Sequence, residues 1–169
     1  MSGEMDKITV QVKFRDAEKT FSGNLEEVWL SLNKFFGEFI PSFEIAKKLM
    51  LSVDLQKLVK DCEGLIAFSM EGVNLLVSKD KLTDNETLLL LLLAKTVGFQ
   101  LGLVESDCVS KEELQAKLGK SGKITSTRLG ELVKNDMVAK IEDKYKITTF
   151  GLVQAQKEII PKIKAKIDG

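Results

Sequence analysis

The chain has 169 residues, with 25 basic and 25 acidic side chains and no histidine. A composition of 44% hydrophobic and 30% charged residues is typical of a chain that folds around an apolar core. The lack of histidine excludes catalytic triads and metal sites that need imidazole. Two cysteines, Cys62 and Cys108, are too few for a four-thiolate zinc site and favour a reduced, cytoplasmic protein. We therefore expect no cofactor, no metal and no enzymatic activity.

The first predicted elements are two strands and a long helix. Apolar and polar residues alternate over Ile8–Phe14, which predicts a half-buried strand, and residues 19–22 can pair back with it. Asn24 and Glu27 have the spacing of a capping box, which predicts the start of a helix. Apolar residues at helical spacing continue this helix until Pro41 closes it.

Two short helices and a hairpin are predicted next. Residues 42–51 and 54–62 have the pattern of short helices, and the segments 65–70 and 73–77 that of two strands. Glu71-Gly72 between these strands predicts a hairpin turn. Residues 1–82 are therefore predicted to form an α+β module, with helices on one face of a small antiparallel sheet.

A leucine-rich helix opens the second predicted domain, residues 83–169. Thr83 and Glu86 form a second capping box, and the helix continues to about Leu101. It contains six consecutive leucines, residues 88–93. A membrane span needs about 20 apolar residues, so this run predicts a helix buried on all sides and no membrane contact.

The pattern then predicts two helices and a hairpin. Ser110, with a glutamate three residues later, begins a short helix that ends at Gly119. A turn over 120–123 precedes a helix that starts at Thr125 or Ser126 and ends at Asn135-Asp136. Residues 119–122 also fit the Gly-x-x-Gly loop of KH domains, although a KH fold needs a strand where this chain has the leucine-rich helix. Segments 137–141 and 144–148 then flank a turn and predict a second hairpin.

This order of elements, a helix, a short helix, a turn, a helix and a hairpin, resembles the winged-helix family of DNA-binding domains. The resemblance covers roughly residues 84–167. It implies that the third helix enters the major groove of DNA and that the hairpin, the wing, contacts the phosphate backbone. With Leu129 and Leu132 facing inward, the third helix directs a hydroxyl and an arginine outward, as base edges and phosphates require. The expected nucleic-acid-binding residues are Ser126, Thr127, Arg128, Lys134, Lys140, Lys144 and Lys146.

The local charge agrees with a polyanionic partner. Residues 117–146 contain eight basic and four acidic side chains, a modest positive excess. DNA rather than RNA is the expected partner, and the protein is expected to be a transcription regulator or a general DNA binder. Winged helices also serve as protein-binding modules, so a non-enzymatic interaction scaffold is the alternative.

The first domain suggests a different nucleic-acid site. Phe21-Ser22-Gly23 followed by Glu26-Glu27-Val28-Trp29 resembles the archaeal ThermoDBP-related single-stranded-DNA-binding proteins. The resemblance implies a cleft of aromatic rings on which bases stack. The candidate stacking residues are Phe14, Phe21, Trp29 and Phe43. The alternative is that rings at helical spacing, Trp29 among them, only form the core.

The last helix offers two interpretations. Thr149 can cap it, and Pro161 should kink or break it. Its apolar side recurs at a heptad spacing, which predicts either a homodimer seam or packing on the winged helix of the same chain. The seam positions are Val153, Gln156, Ile160, Ile163 and Ile167.

Overall fold

A computed structural model describes residues 7–39 and 52–169 of the chain. The protein is α+β, with small antiparallel sheets of two or three strands. It divides into two compact units, Met1–Met50 and Leu51–Gly169. The sequence predicts a boundary after residue 82 instead. The second unit begins earlier because the hairpin over residues 66–75 and the helix before it share the core of the leucine-rich helix.

The first unit contains a regular hairpin. Strand β1 (Ile8–Phe14) pairs antiparallel with β2 (Ala17–Gly23), which is longer at both ends than the predicted 19–22. Arg15 has a φ of 55° in the connecting turn. Side chains of β1 alternate between half-buried and exposed, as the period of two predicts.

Helix α1 (Leu25–Phe39) covers one face of this hairpin. Asn24 and Glu27 each accept a hydrogen bond from the other's backbone N–H, so the predicted capping box is present. Val28 and Phe35 are its buried residues. The predictions of a helix over 42–51 and of Pro41 as the end of α1 lie outside the described residues.

The second unit alternates short helices with hairpins around one long helix. Its turns of 3₁₀ and π helix are Lys79–Lys81 and Ala155–Ile159. The helices and strands are α2 (Leu55–Asp61), β3 (Ile66–Ser69), β4 (Gly72–Leu75), α3 (Asp84–Gln100), β5 (Val109–Ser110), α4 (Lys111–Leu118), α5 (Gly122–Lys134), β6 (Val138–Ile141), β7 (Lys144–Ile147), α6 (Thr149–Gln154) and α7 (Ile160–Asp168).

Helix α3 is the centre of the second unit. Its six leucines are all buried, and the helix contacts α2, the β3–β4 hairpin, α4, α5 and β7. Thr83 and Glu86 form the complete predicted capping box at its start. Among the described residues, no helix has the length and apolar character needed to cross a bilayer.

Strands β5, β7 and β6 form a three-stranded antiparallel sheet in that order. The β6–β7 hairpin was expected, and Glu142 turns it with a φ of 58°. Strand β5 has only two residues, too few for an alternating sequence pattern that would predict it. It exists because Val109 and Ser110 pair with Tyr145 and Lys144 of β7.

Several predicted helix ends need correction. Helix α5 begins at Gly122 rather than at Thr125 or Ser126, because Ser121 accepts the hydrogen bond from Ile124 N–H and caps it. The Thr125 hydroxyl instead donates to Ser121 O inside the helix. The left-handed residue after α5 is Asp136, with a φ of 59°, and not Asn135.

The C-terminal helix packs on its own chain. Thr148, not Thr149, caps it by accepting from Gly151 N–H. A π turn interrupts the regular helix immediately before α7, as the missing N–H of Pro161 predicts. Ile160 and Ile163 are buried in the core. Two of the five predicted seam residues are therefore not accessible to a second copy of the chain. A homodimer through this helix stays a prediction.

Candidate nucleic-acid interface

Two capped helices present the candidate interface. Ser110 caps α4 by accepting from Glu113 N–H, and Gly119 ends it in the left-handed conformation, with a φ of 71°. Only two residues, Lys120 and Ser121, separate Gly119 from the start of α5. The turn is therefore short, and Lys120 within it and Lys123 after it are both exposed.

One side of α5 is buried against the rest of the second unit, and the opposite side is exposed to solvent. Thr125, Leu129 and Leu132 are buried against the rest of the unit. The opposite side is exposed and consists of Lys123, Ser126, Thr127, Gly130 and Lys134, which we call the outer face of α5. Four of these residues recur at helical spacing, so the outer face is a stripe with a lysine at each end and small side chains between.

The outer face is free to meet a polyanion. Lys123 and Lys134 form no ion pair within residues 7–39 and 52–169. The Thr127 hydroxyl donates to Lys123 O at 2.9 Å, so its remaining capacity is as an acceptor. A Cβ at Gly130 would meet nothing within 4 Å.

Arg128 is engaged within the protein. Its guanidinium donates to Glu131 at 3.0 Å and lies 3.5 Å from an Asp84 carboxylate oxygen. Asp84 is on α3, so the pair ties α5 to the start of α3. The expected contact of Arg128 with bases stays a prediction, and it requires this pairing to break.

Glu131 is the acceptor that organises this contact. The Asn85 side chain donates to it at 3.0 Å. This hydrogen bond, together with the positive charge and hydrogen bonds of Arg128, holds the pKa of Glu131 below its usual value despite partial burial. The carboxylate is therefore charged at neutral pH and competes with phosphate for Arg128.

The three wing lysines do not share one face. Lys144 and Lys146 lie opposite Ile141 and Ala139 in the register, on the side of the hairpin away from the buried Tyr145. Lys140 lies opposite Tyr145, with its ammonium 5.9 Å from the ring centroid. Lys140 and Lys144 are exposed.

Lys146 is paired with an acid. Its Nζ lies 2.6 Å from Asp107, in the loop before β5. Burial acts to raise the pKa of Asp107, but the hydrogen bond and charge of Lys146 outweigh it and hold the pKa below its usual value. This ion pair therefore fixes the loop to β7. The Lys146 ammonium group is partly neutralised by Asp107 and attracts a phosphate less strongly than an unpaired lysine does.

The candidate stacking residues of the first unit separate into three groups. Phe14 is half-buried with the Arg15 guanidinium 5.2 Å from its centroid, and Phe21 packs edge-to-face on Phe35 at 5.9 Å. Trp29 is 62% exposed, so the core interpretation is wrong for this ring. Phe43 lies outside the described residues.

Lys120 and Lys123 are interface candidates that the sequence did not single out. The sequence signal for both was Ser121, whose capping role makes 122–134 a helix and places Lys123 in its first turn.

Within the part of the chain that the structure describes, no group of acidic, cysteine or histidine side chains is placed to hold a metal ion. No family model matches the chain, and no curated protein or solved structure matches it.

Proposed function

We propose that the chain binds duplex DNA through the outer face of α5 and the exposed lysines of the wing, in the manner of a winged helix. The order of α3, α4, α5 and the β6–β7 hairpin, with β5 paired to β7, supports that architecture. The observation that carries the proposal is the outer face itself. It is exposed, and both of its lysines are free of ion pairs within the described residues.

The shape of the outer face favours a groove over a flat surface. Lys123 and Lys134 are eleven positions apart, which is about 16 Å along a helix axis at 1.5 Å per residue. The major groove of B-DNA is about 12 Å wide, so two lysines at this spacing can reach phosphates on its two rims. Ser126, Thr127 and Gly130 lie between them and allow the helix backbone to approach the base edges.

Duplex DNA is favoured over duplex RNA by the same geometry. The major groove of A-form RNA is deep and too narrow for a helix. Lys120 and Lys144 extend the basic surface beyond α5 and supply further phosphate contacts without sequence preference.

The test is fluorescence anisotropy with duplex DNA, single-stranded DNA and duplex RNA at several salt concentrations. We expect duplex DNA to bind most tightly, with a negative slope of log affinity against log salt. The double variant K123Q/K134Q should reduce the magnitude of that slope by about two and weaken binding about tenfold or more.

The matched control removes two exposed lysines elsewhere on the same unit, in the double variant K60Q/K157Q. It changes net charge equally, so a general charge effect would weaken binding as much as K123Q/K134Q does. Equal loss in both double variants, or no binding to any oligonucleotide, would refute the proposal.

A second candidate function is single-stranded nucleic-acid binding by the first unit. The exposed Trp29 ring favours it, since a base can stack on an accessible indole. Trp29 is the sole tryptophan of the chain, so its fluorescence reports this site alone. The expected result is quenching by single-stranded but not by duplex DNA, together with a loss of affinity for single-stranded DNA in W29A, measured by the anisotropy of labelled DNA. Quenching by neither would refute this second function.

A further inference from the structure

Two carboxylates hold the only arginine of the second unit. Arg128 Nη1 donates to the two carboxylate oxygens of Glu131 at 3.0 Å and 3.3 Å, and its Nε lies 3.5 Å from Asp84 Oδ2. The Arg128 side chain is nevertheless 41% exposed. The guanidinium is therefore paired within the protein and still accessible to a ligand.

Arg128 lies beside the outer face of α5 rather than on it. It follows Thr127, an outer-face residue, and is rotated from it by about 100° around the helix axis. When a helix lies in the major groove, the residues that flank its central stripe face the sugar-phosphate backbone, which takes half or more of protein–DNA hydrogen bonds. A phosphate of the proposed duplex is therefore the ligand for which Arg128 is placed.

The two carboxylates more than neutralise this arginine. Asp84 and Glu131 supply two negative charges against the one positive charge of Arg128, so the cluster as a whole is negative. Glu131 is also three residues before Lys134 of the outer face, and residues at this spacing are neighbours on a helix surface. While the pairs are closed, the cluster therefore repels a phosphate at the edge of the proposed interface.

The pairs can open without leaving either carboxylate unstabilised. The Asn85 side chain donates to Glu131 at 3.0 Å, and this hydrogen bond does not involve Arg128. Asp84 is in the first turn of α3, where the helix dipole favours a negative charge. Helix α5 is held to the unit by its buried side, to which Arg128 does not belong. Release of the guanidinium therefore needs only a movement of one side chain.

We propose that Asp84 and Glu131 form an autoinhibitory latch, which holds Arg128 back from a DNA phosphate and lowers the affinity of the outer face of α5 for duplex DNA. This inference rests on the proposed function and concerns the regulation of that site. With the latch closed, the interface binds through its lysines. With the latch open, Arg128 adds one phosphate contact. Asp84 and Glu131 are positioning residues, because they act on DNA binding through Arg128.

The test compares the unaltered protein with D84N/E131Q in duplex binding, by fluorescence anisotropy at several salt concentrations. Asparagine and glutamine keep the shapes of the two side chains and remove the charges that hold Arg128. One more phosphate contact should raise the magnitude of the log–log salt slope by about one and tighten binding about five- to tenfold near 0.1 M salt. Urea unfolding should give nearly the same stability for both proteins, because exposed pairs contribute little to it.

A matched control is needed because removing two acids also tightens DNA binding by a general charge effect. D136N/E142Q changes the net charge equally at two exposed residues, one after α5 and one in the turn of the wing. Neither acid forms an ion pair within residues 7–39 and 52–169. We expect D136N/E142Q to tighten binding less than D84N/E131Q and to leave the salt slope nearly unchanged.

The R128M background isolates the arginine. With no guanidinium to release, the gain from D84N/E131Q should shrink to that from D136N/E142Q, and the increase in salt slope should disappear. If D84N/E131Q tightens duplex binding equally with and without Arg128, or no more than D136N/E142Q does, the latch is overturned and the proposed function stands. Absence of duplex binding in all of these proteins refutes both.

Discussion

Lys166 forms a two-oxygen ion pair with Glu86: its Nζ lies 3.0 Å from one carboxylate oxygen and 2.8 Å from the other. Glu86 is in the first turn of α3 and Lys166 is near the end of α7, so this pair fixes the last helix to the central one. The carboxylate is almost completely buried, whereas the lysine is about one-third exposed.

Replacing Lys166 should lower the free energy of unfolding more than replacing a lysine in a surface pair. In K166M, Glu86 keeps only the more distant Lys162 as a charged partner, and we expect a loss of about 1–3 kcal/mol. K57M breaks the exposed pair with Asp61 and should cost about 0–1 kcal/mol. Urea unfolding at pH 7 measures both, and equal losses would contradict the buried role of Glu86.

The same pair predicts an acid-sensitive stability. Burial acts to raise the pKa of Glu86, but the hydrogen bonds and charges of Lys166, Thr83 and Lys162 outweigh it, so the folded pKa lies below the usual 4.5. A carboxyl with a lowered pKa stabilises the fold fully above its unfolded pKa. That contribution is lost as pH falls through the folded pKa. Between pH 6 and about pH 3, E86Q should therefore lose less stability than the unaltered protein in urea unfolding. Parallel pH curves would exclude Glu86 as a contributor.

Gly151 should not tolerate a side chain. A Cβ there would lie 2.2 Å from Met137 O and 2.8 Å from Ile147 Cγ1, because the first turn of α6 packs directly on the backbone before β6. Backbone cannot yield as a flexible side chain does, so G151A should lower stability by about 2–4 kcal/mol. Thermal unfolding measures the change, and a melting temperature within a degree of the original would show that the close approach relaxes easily.

Local sequence signals predicted the elements whose causes are local. The Asn24 and Thr83 capping boxes and the left-handed end of α4 at Gly119 are present as expected. The glycine-containing turn between α4 and α5 was harder, because Ser121 caps a helix only when the residues after it continue into α5. The start of α5 was therefore predicted too late.

The residues that sequence could not place depend on partners far along the chain. Arg128 meets Asp84 of α3, and nothing in the sequence near either residue indicates this pair. Strand β5 depends on β7 in the same way. The apolar spacing predicted helix α1 correctly, but the part that the hairpin covers decides that Phe35 is buried and Trp29 is not.

The two cysteines should differ in reactivity. Cys62 is 2% exposed, and burial, together with the negative charge of Asp61, raises the pKa of its thiol to about 11. Thiolates rather than thiols react with disulfide reagents, so at pH 8 Cys62 is both covered and protonated. Cys108 is partly exposed. Ellman's reagent should label one thiol in the native protein and two in denaturant, and C108S should abolish the native reaction. Rapid native labelling of Cys62 would show that the α2–α3 contact opens readily.

Gly130 allows stability and DNA binding to be separated. It lies within α5 with open space around it, so G130A should raise the free energy of unfolding by about 1 kcal/mol through helix propensity alone. In the proposed complex the same position faces the floor of the major groove between Lys123 and Lys134, and the added methyl group holds the helix away from the bases. We expect duplex affinity to fall about two- to tenfold while the protein becomes more stable. A higher free energy of unfolding together with a lower affinity for duplex DNA cannot come from a loss of fold. Unchanged or tighter binding in G130A would mean that the outer face of α5 does not approach DNA closely.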